Sequence, residues 1–276
     1  MIFTPYQPSE RIAPYIEAIF HYKDFVPDHS IERVVPTGHV FIIFELDGFE
    51  RHTFDNQTLK PNATYTRAWV CGMHRNHISI SAHENSEMFV IQFKPHGSYP
   101  FLHVTADMLN ELIVPAHEVM DESLYELRDA MIQAEDTADK FALAEQWLLG
   151  RFDEEKLPPS EIPEFIAKLQ AEPVDSLNAL IEAYPASQKS LIDQFKKYVG
   201  LTPKYYQRIL RFNDLLKRIQ NKDRVSWSDI AYECGYFDQS HFIKEFRHFS
   251  GFNPGEYICR DYNKEEPNFF PLDRQQ

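Results

Sequence analysis

Cysteine is scarce and scattered in this chain of 276 residues: Cys71, Cys234 and Cys259 are the whole set. No pair has zinc-knuckle spacing, and an odd, dispersed set does not build a disulfide framework, so the expectation is a soluble protein of a reducing, cytoplasmic compartment. Long apolar runs are missing too. The longest, 40–44, is strand-sized, well short of the roughly 18 residues of a membrane span, and no membrane partner is expected. The stretch 1–20 holds Pro5, Pro8, Glu10, Pro14 and Glu17, which is not the texture of a signal peptide. Only nine glycines occur, with no P-loop, nucleophile elbow or Gly-x-Gly-x-x-Gly. That absence disfavours an enzyme: no catalytic residue and no cofactor is expected. Among twelve histidines there is no His-x-His; His74 and His77 are separated by two residues, and His83-Glu84 stand elsewhere. A metal-holding set of the kind an iron enzyme needs is therefore not expected.

What is present is ample core material. At 43% hydrophobic and 14% aromatic the chain is no disordered acidic tail. Its length suits about two domains of roughly 150 residues. The formal net charge of -14 argues, taken whole, against nucleic acid. The charge is uneven, however: 176–262 carries 13 Lys and Arg against 10 Asp and Glu, and the remainder 15 against 32. Starting the window at 160 levels it at 14 against 14, so charge alone decides little.

Residues 1–104 read as short strands. The β-branched and aromatic run 34–46 follows Pro36-Thr37-Gly38 and closes on Asp47-Gly48, a strong tight-turn pair. Further strands are expected at 68–73, 77–81 and 87–93, with turns at Asp55-Asn56 and Lys60-Pro61-Asn62. Many short strands suggest a sandwich or small barrel. Phe41, Phe44, Trp69, Phe89 and Phe93 read as its core. No ligand residue is named, because a one-residue error in register inverts which side chains face inward. From 105 to 159 the texture becomes helical, with Leu124, Leu127, Met131, then Phe141, Ala144, Trp147 and Leu148 at helical spacing. Leu157-Pro158-Pro159-Ser160 reads as a linker, and 160–262 as helical again. The tail, 263–276, is polar except for Phe269-Phe270-Pro271-Leu272, which either docks back or frays.

The helical third repeats itself at an offset of 51 residues. Gly200-Leu201-Thr202-Pro203 with Tyr206 answers Gly251-Phe252-Asn253-Pro254 with Tyr257; Phe195 answers Phe246, Leu191 answers Phe242, and Ser187 answers Asp238, both good helix N-caps. Each copy predicts a short helix (177–183 or 227–234), a tight turn and a capped second helix (188–198 or 239–249). The second copy opens on Ser226-Trp227-Ser228-Asp229, a capping-box pattern, and turns at Gly235. Such a pair is a helix-turn-helix, whose second helix can enter a major groove. Between the copies, 203–220 predicts a helix of roughly 25 Å, long enough to hold two reading helices about one DNA turn apart.

The string Ser228-Asp229-Ile230-Ala231, Cys234-Gly235-Tyr236-Phe237-Asp238-Gln239-Ser240-His241-Phe242, Phe246-Arg247, Gly251-Phe252-Asn253-Pro254 and Tyr257 resembles the signature of the AraC/XylS family of bacterial transcription regulators, over about 160–260. The N-terminal part is more loosely similar to that family's cupin-like sensor domains. The fold so implied is α+β: a cupin-like β-sandwich or barrel (1–104), a helical connector or dimerisation segment (105–159), an all-α domain of two helix-turn-helix units (160–262) and a tail. The implied function is sequence-specific binding of double-stranded DNA under a small-molecule effector, with RNA polymerase and a second copy of the chain as further candidate partners.

The exposed first turns of the second helices are the expected base readers: Gln239, Ser240, His241 and Lys244 in one copy, Gln188, Lys189, Ile192 and Asp193 in the other. Gln pairs with adenine, Lys with guanine, and Ile192 suits a thymine methyl. Asp193 departs from the family, which commonly has a basic residue there; an acid repels phosphate but accepts from cytosine. Lys197, Lys204, Arg208 and Arg211 are the expected phosphate contacts. Two other readings stand beside this one: a cupin-type metal-dependent oxygenase with a helical appendage, and an interaction module whose DNA-binding surface has decayed.

Overall fold

Alternation along the strands sets which way each sheet faces. In a computed structural model the structure describes residues 1–222, 224–264, 266 and 268–274; positions 265, 267, 275 and 276 of the expected tail lie outside them. The strands are β1 (Ile2–Tyr6), β2 (Ile16–Phe25), β3 (Ile31–Val34), β4 (Val40–Glu45), β5 (Arg51–Phe54), β6 (Pro61–Tyr65), β7 (Ala68–Cys71), β8 (Ile78–Ser81), β9 (Ser86–Phe93), β10 (Ile113–Pro115) and β11 (Phe269–Pro271). They make two antiparallel sheets, ordered β1-β2-β9-β4-β7-β10 and β11-β3-β8-β5-β6. In the larger sheet Ile42 lies between Ile91 and Val70, and Phe44 beside Phe89. Every second residue here (Val40, Ile42, Phe44, Phe89, Ile91, Phe93) packs under helices, while Ile43, Trp69, Cys71 and Val90 face the smaller sheet beside Tyr65. Both faces are covered, so the central strands read as near-continuous apolar runs.

The helices are α1 (Tyr99–Leu102), α2 (Ser123–Gln133), α3 (Thr137–Arg151), α4 (Glu161–Ala171), α5 (Leu177–Glu182), α6 (Gln188–Val199), α7 (Pro203–Ile219), α8 (Trp227–Glu233), α9 (Gln239–Ser250) and α10 (Pro254–Cys259). Leu124, Leu127 and Met131 of α2 and Phe141, Ala144 and Leu148 of α3 cap the larger sheet, as their spacing predicts. The predicted strand 34–46 is in fact two: Gly38, at φ +82°, breaks it, and 35–39 becomes a loop against α7. A Cβ at Gly38 would stand 2.9 Å from the Tyr206 ring. The region after 105 is not helical throughout. Strand β10 pairs with β7, its edge position supplied by a partner about forty residues earlier.

The helical domain has a core of its own, with Leu191 and Phe195 (α6), Ile209, Phe212 and Leu216 (α7), and Phe242, Phe246 and Phe249 (α9). Val35 and Met73 of the sandwich belong to that same core. The tail completes the junction. Phe270 is fully buried against Tyr257 and Tyr262, and β11 pairs with β3, Phe270 opposite Arg33. The Asp273 carboxylate then accepts from the Ser30 and Ile31 amides at 3.0 and 2.8 Å. Between docking and fraying, the described part of the tail docks.

Candidate nucleic-acid interface

Each helix-turn-helix is cut to length by local chemistry. Ser187 accepts from the Ser190 amide at 3.1 Å and opens α6; Asp238 accepts from the His241 amide at 2.7 Å and opens α9. Gly200 at φ +83° and Gly251 at φ +78° take the left-handed position that ends each helix. Thr202 caps α7 through the Tyr205 amide, with Pro203 in the first turn. The capping box expected at Ser226 is not made. Its hydroxyl instead lies 3.3 Å from that of Ser228, while the reciprocal box forms at Asn253 and Glu256.

On α9 the apolar stripe Phe242, Phe246 and Phe249 turns inward. Gln239, Ser240, His241 and Lys244 stand exposed on the outward side. On α6 Gln188, Lys189 and Asp193 are exposed and Ile192 is half-buried; Asp193 has no ion-pair partner among the described residues. Both first turns are therefore open to a groove.

The cations of α7 are arranged differently from expectation. Arg208, Arg211 and the exposed Lys204 line a cleft of about 600 Å³ with His241, Lys244 and Glu245. Glu245 is buried, and its carboxylate receives Arg208 Nε at 3.1 Å and Arg211 Nη2 at 3.3 Å, with His241 Nε2 at 3.7 Å. Arg211 also donates to the Gly235 carbonyl at 3.4 Å and covers the Tyr236 ring, so it ties the turn of the second unit to α7. Removing Glu245 would strand two guanidiniums, and its presence halves the charge they offer to phosphate. The signal was in the sequence: Glu245 falls on the buried stripe of α9, at i+3 from Phe242, where an acid needs partners. Lys197 lies 5.3 Å from the Tyr99 ring and 5.0 Å from Tyr198, at the junction with the sandwich rather than in the cleft.

That junction grips both probe helices by their far ends. A Cβ on Gly200 would meet the Ala106 carbonyl at 2.8 Å, and Tyr198 donates to the Leu157 carbonyl at 3.0 Å. At the end of α9, Arg33 donates to the Ser250 carbonyl at 3.3 Å and to Asn56 at 3.1 Å, and stacks on Phe252. The Tyr205 hydroxyl is 2.6 Å from His248 Nε2 and donates to the Arg75 carbonyl at 3.3 Å. Burial, then the Arg33 charge, drives the His77 pKa down to about 4, so this joint is built around a neutral imidazole.

Within the sandwich, Glu45 is fully buried, takes a hydrogen bond from Trp69 Nε1 at 2.7 Å and lies 2.8 Å from Arg51 Nε. Burial lifts its pKa to about 7 against the Arg51 charge. Among the described residues no group of three His, Cys, Asp or Glu is gathered as a metal would require. His83 stacks on Phe49, whereas His77 turns to α9.

Two capped helix-turn-helix units on one connecting helix, behind a β-sandwich, define a modular helix-turn-helix protein. In its C-terminal domain, residues 180–260 match the model of the helix-turn-helix domain HTH_18. Residues 4–115 match a domain of unknown function, DUF6597. The chain is 33% identical over 81 residues to the HTH-type transcriptional activator RhaS of Enterobacter sp. (strain 638), a match covering 29% of each chain. RhaS of Escherichia coli (strain SE11) is 33% identical over 91 residues, 32% of each. The chain thus covers less than a third of the length of each of these curated relatives. An apo variant of ToxT from Vibrio cholerae strain SCE256 aligns with TM-score 0.46 and 11% identity over 88% of this chain and 96% of that one. No helix among the described residues is long and apolar enough to cross a membrane.

Proposed function

We propose that this chain is a transcription regulator that binds double-stranded DNA sequence-specifically through α6 and α9, the second unit contributing most of the affinity. The observation that carries the reading is the pair of capped helices whose first turns, Gln188-Lys189 and Gln239-Ser240-His241, stand open to solvent. In this reading Gln239, Ser240, His241 and Lys244 read bases, Lys204 meets phosphate directly, and Arg208 and Arg211 act as a pair discounted by Glu245. The sandwich serves as sensor, acting through the joint of Arg33, Arg75 and His77 on the last turn of α9. A small-molecule effector, a second copy of the chain and RNA polymerase complete the partners. No catalytic role is assigned.

The test uses the full chain, because Val35, Met73 and β11 join the helical core to the sandwich. An operator is selected from random DNA, and affinity is followed against salt. A falling line of log affinity against log salt, with selected DNA held at least tenfold tighter than random DNA, is expected. A flat line, or no selected sequence, contradicts the reading and favours the interaction module. Gln239→Ala and Lys244→Ala are expected to weaken the selected sequence far more than random DNA.

A further inference from the structure

We infer that Phe237 is a specificity residue of the second unit, its ring packing on the C5 methyl group of a thymine at the edge of the major groove. The inference rests on the DNA-binding reading above and adds to it a ligand chemistry that no polar residue of α9 supplies. Phe237 is 93% exposed, the most exposed large apolar residue among the described residues, although it directly precedes the Asp238 cap. A hydrophobic residue there commonly staples onto the fourth residue of the helix, here Phe242. That staple is not made by Phe237. Phe242 is fully buried, and its neighbour at this corner is Tyr236, whose ring lies 5.3 Å away and also meets His241 at 5.6 Å. Phe237 thus has no part in closing the turn.

Nor does the motif demand an aromatic side chain. In the first copy the equivalent position is Ala186, also exposed, in an otherwise matching capped turn. An exposed phenyl ring leaves uncollected the gain that covering it would bring, and a partner that covers it collects that gain. What adjoins it identifies the occupant. Gln239, Ser240 and His241 follow it in the exposed first turn of α9, and the basic cleft of Lys204, Arg208, Arg211 and Lys244 runs along the same helix. An α9 that enters a groove by its first turn carries residue 237 to the groove wall. The apolar group displayed there is the thymine methyl, which Phe is suited to touch.

The test removes that methyl. In the operator selected by the full chain, each thymine is replaced singly by deoxyuridine, and binding is measured for the wild type, Phe237→Ala and Phe237→Leu. For the wild type, one thymine on the second unit's half of the site loses roughly three- to fivefold in affinity on losing its methyl, the worth of one buried methyl group. Phe237→Ala binds the thymine and uracil forms of that position alike, and keeps the wild-type salt slope and melting temperature. Phe237→Leu keeps part of the discrimination. A variant that discriminates as the wild type does, or that loses affinity equally on random DNA, overturns the inference; an unchanged uracil scan in Phe237→Ala would assign the ring to a protein partner instead. A wild type that selects an operator but ignores every thymine methyl overturns the inference and leaves the DNA-binding reading standing. A wild type with no operator takes both down.

Discussion

The two helix-turn-helix units share a plan and differ in how they hold charge. Both open on a short polar cap, close on a left-handed glycine and bury the same aromatic position, Phe195 or Phe246. In the second, an acid is buried on the probe helix and neutralised by Arg208 and Arg211 from α7. In the first, the acid is Asp193, exposed and unpaired among the described residues. The comparison teaches that a duplicated scaffold is kept by its core and caps, while the same net charge can serve two ends. Buried and shared, it ties probe to strut; exposed, it stays free of any partner on the chain's described residues and would repel a phosphate brought near it.

The shared core is the first place to break the comparison. Phe195→Ala and Phe246→Ala should each cost about 3–5 kcal/mol by denaturant unfolding, since each empties a fully buried ring site. A silent Phe195→Ala would show that the first unit does not use its core as the second does. Next in size is Glu245→Gln, which keeps the shape and removes the charge. It should cost about 1–3 kcal/mol of stability by loosening a buried charge pair and steepen the salt dependence of DNA binding by about one phosphate contact. Unchanged stability would mean that the arginines do not need the carboxylate.

The joint itself should respond to pH. His77 has its pKa depressed from 6.5 to about 4, by burial first and then by Arg33, against backbone hydrogen bonds to His248 and Phe249 of α9 that work in the opposite direction. The folded state therefore binds its proton less readily than the unfolded chain. The His77 contribution is complete above pH 6.5 and is lost as pH falls toward 4. Denaturation midpoints measured across that window should fall with acid, and His77→Gln should flatten the slope by about one proton. Asp193→Asn is the smallest change: no shift in stability, with affinity for all DNA raised by about the worth of one fewer repulsion. If it altered stability as Glu245→Gln does, the contrast between the units would disappear.

Most of the helical domain was legible because its signals are local. The caps Ser187 and Asp238, the glycines at 200, 235 and 251, and the i, i+3, i+4 stripes place α6 and α9 within a residue or two of expectation. The sandwich was legible as a class, since alternating aromatic and β-branched residues with turn dipeptides do not build much else. What escaped depends on partners distant in sequence. Strands β10 and β11 are three residues each and are strands only because β7 and β3 offer free edges. Ser226 carries the letters of a capping box without its bonds, so residue spacing alone did not decide it. The role of Glu245 depends on arginines more than thirty residues away on α7, which local spacing does not bring together, though its place on an apolar stripe asks for them.

Hydroxyl-radical footprinting of the full chain on its selected operator tests the central claim most directly. Two protected clusters on one face of the duplex, roughly 10 base pairs apart, are predicted, the stronger under α9 and the weaker under α6. A single cluster, or two on opposite faces, would show that the pair of helices does not read neighbouring segments of one duplex face.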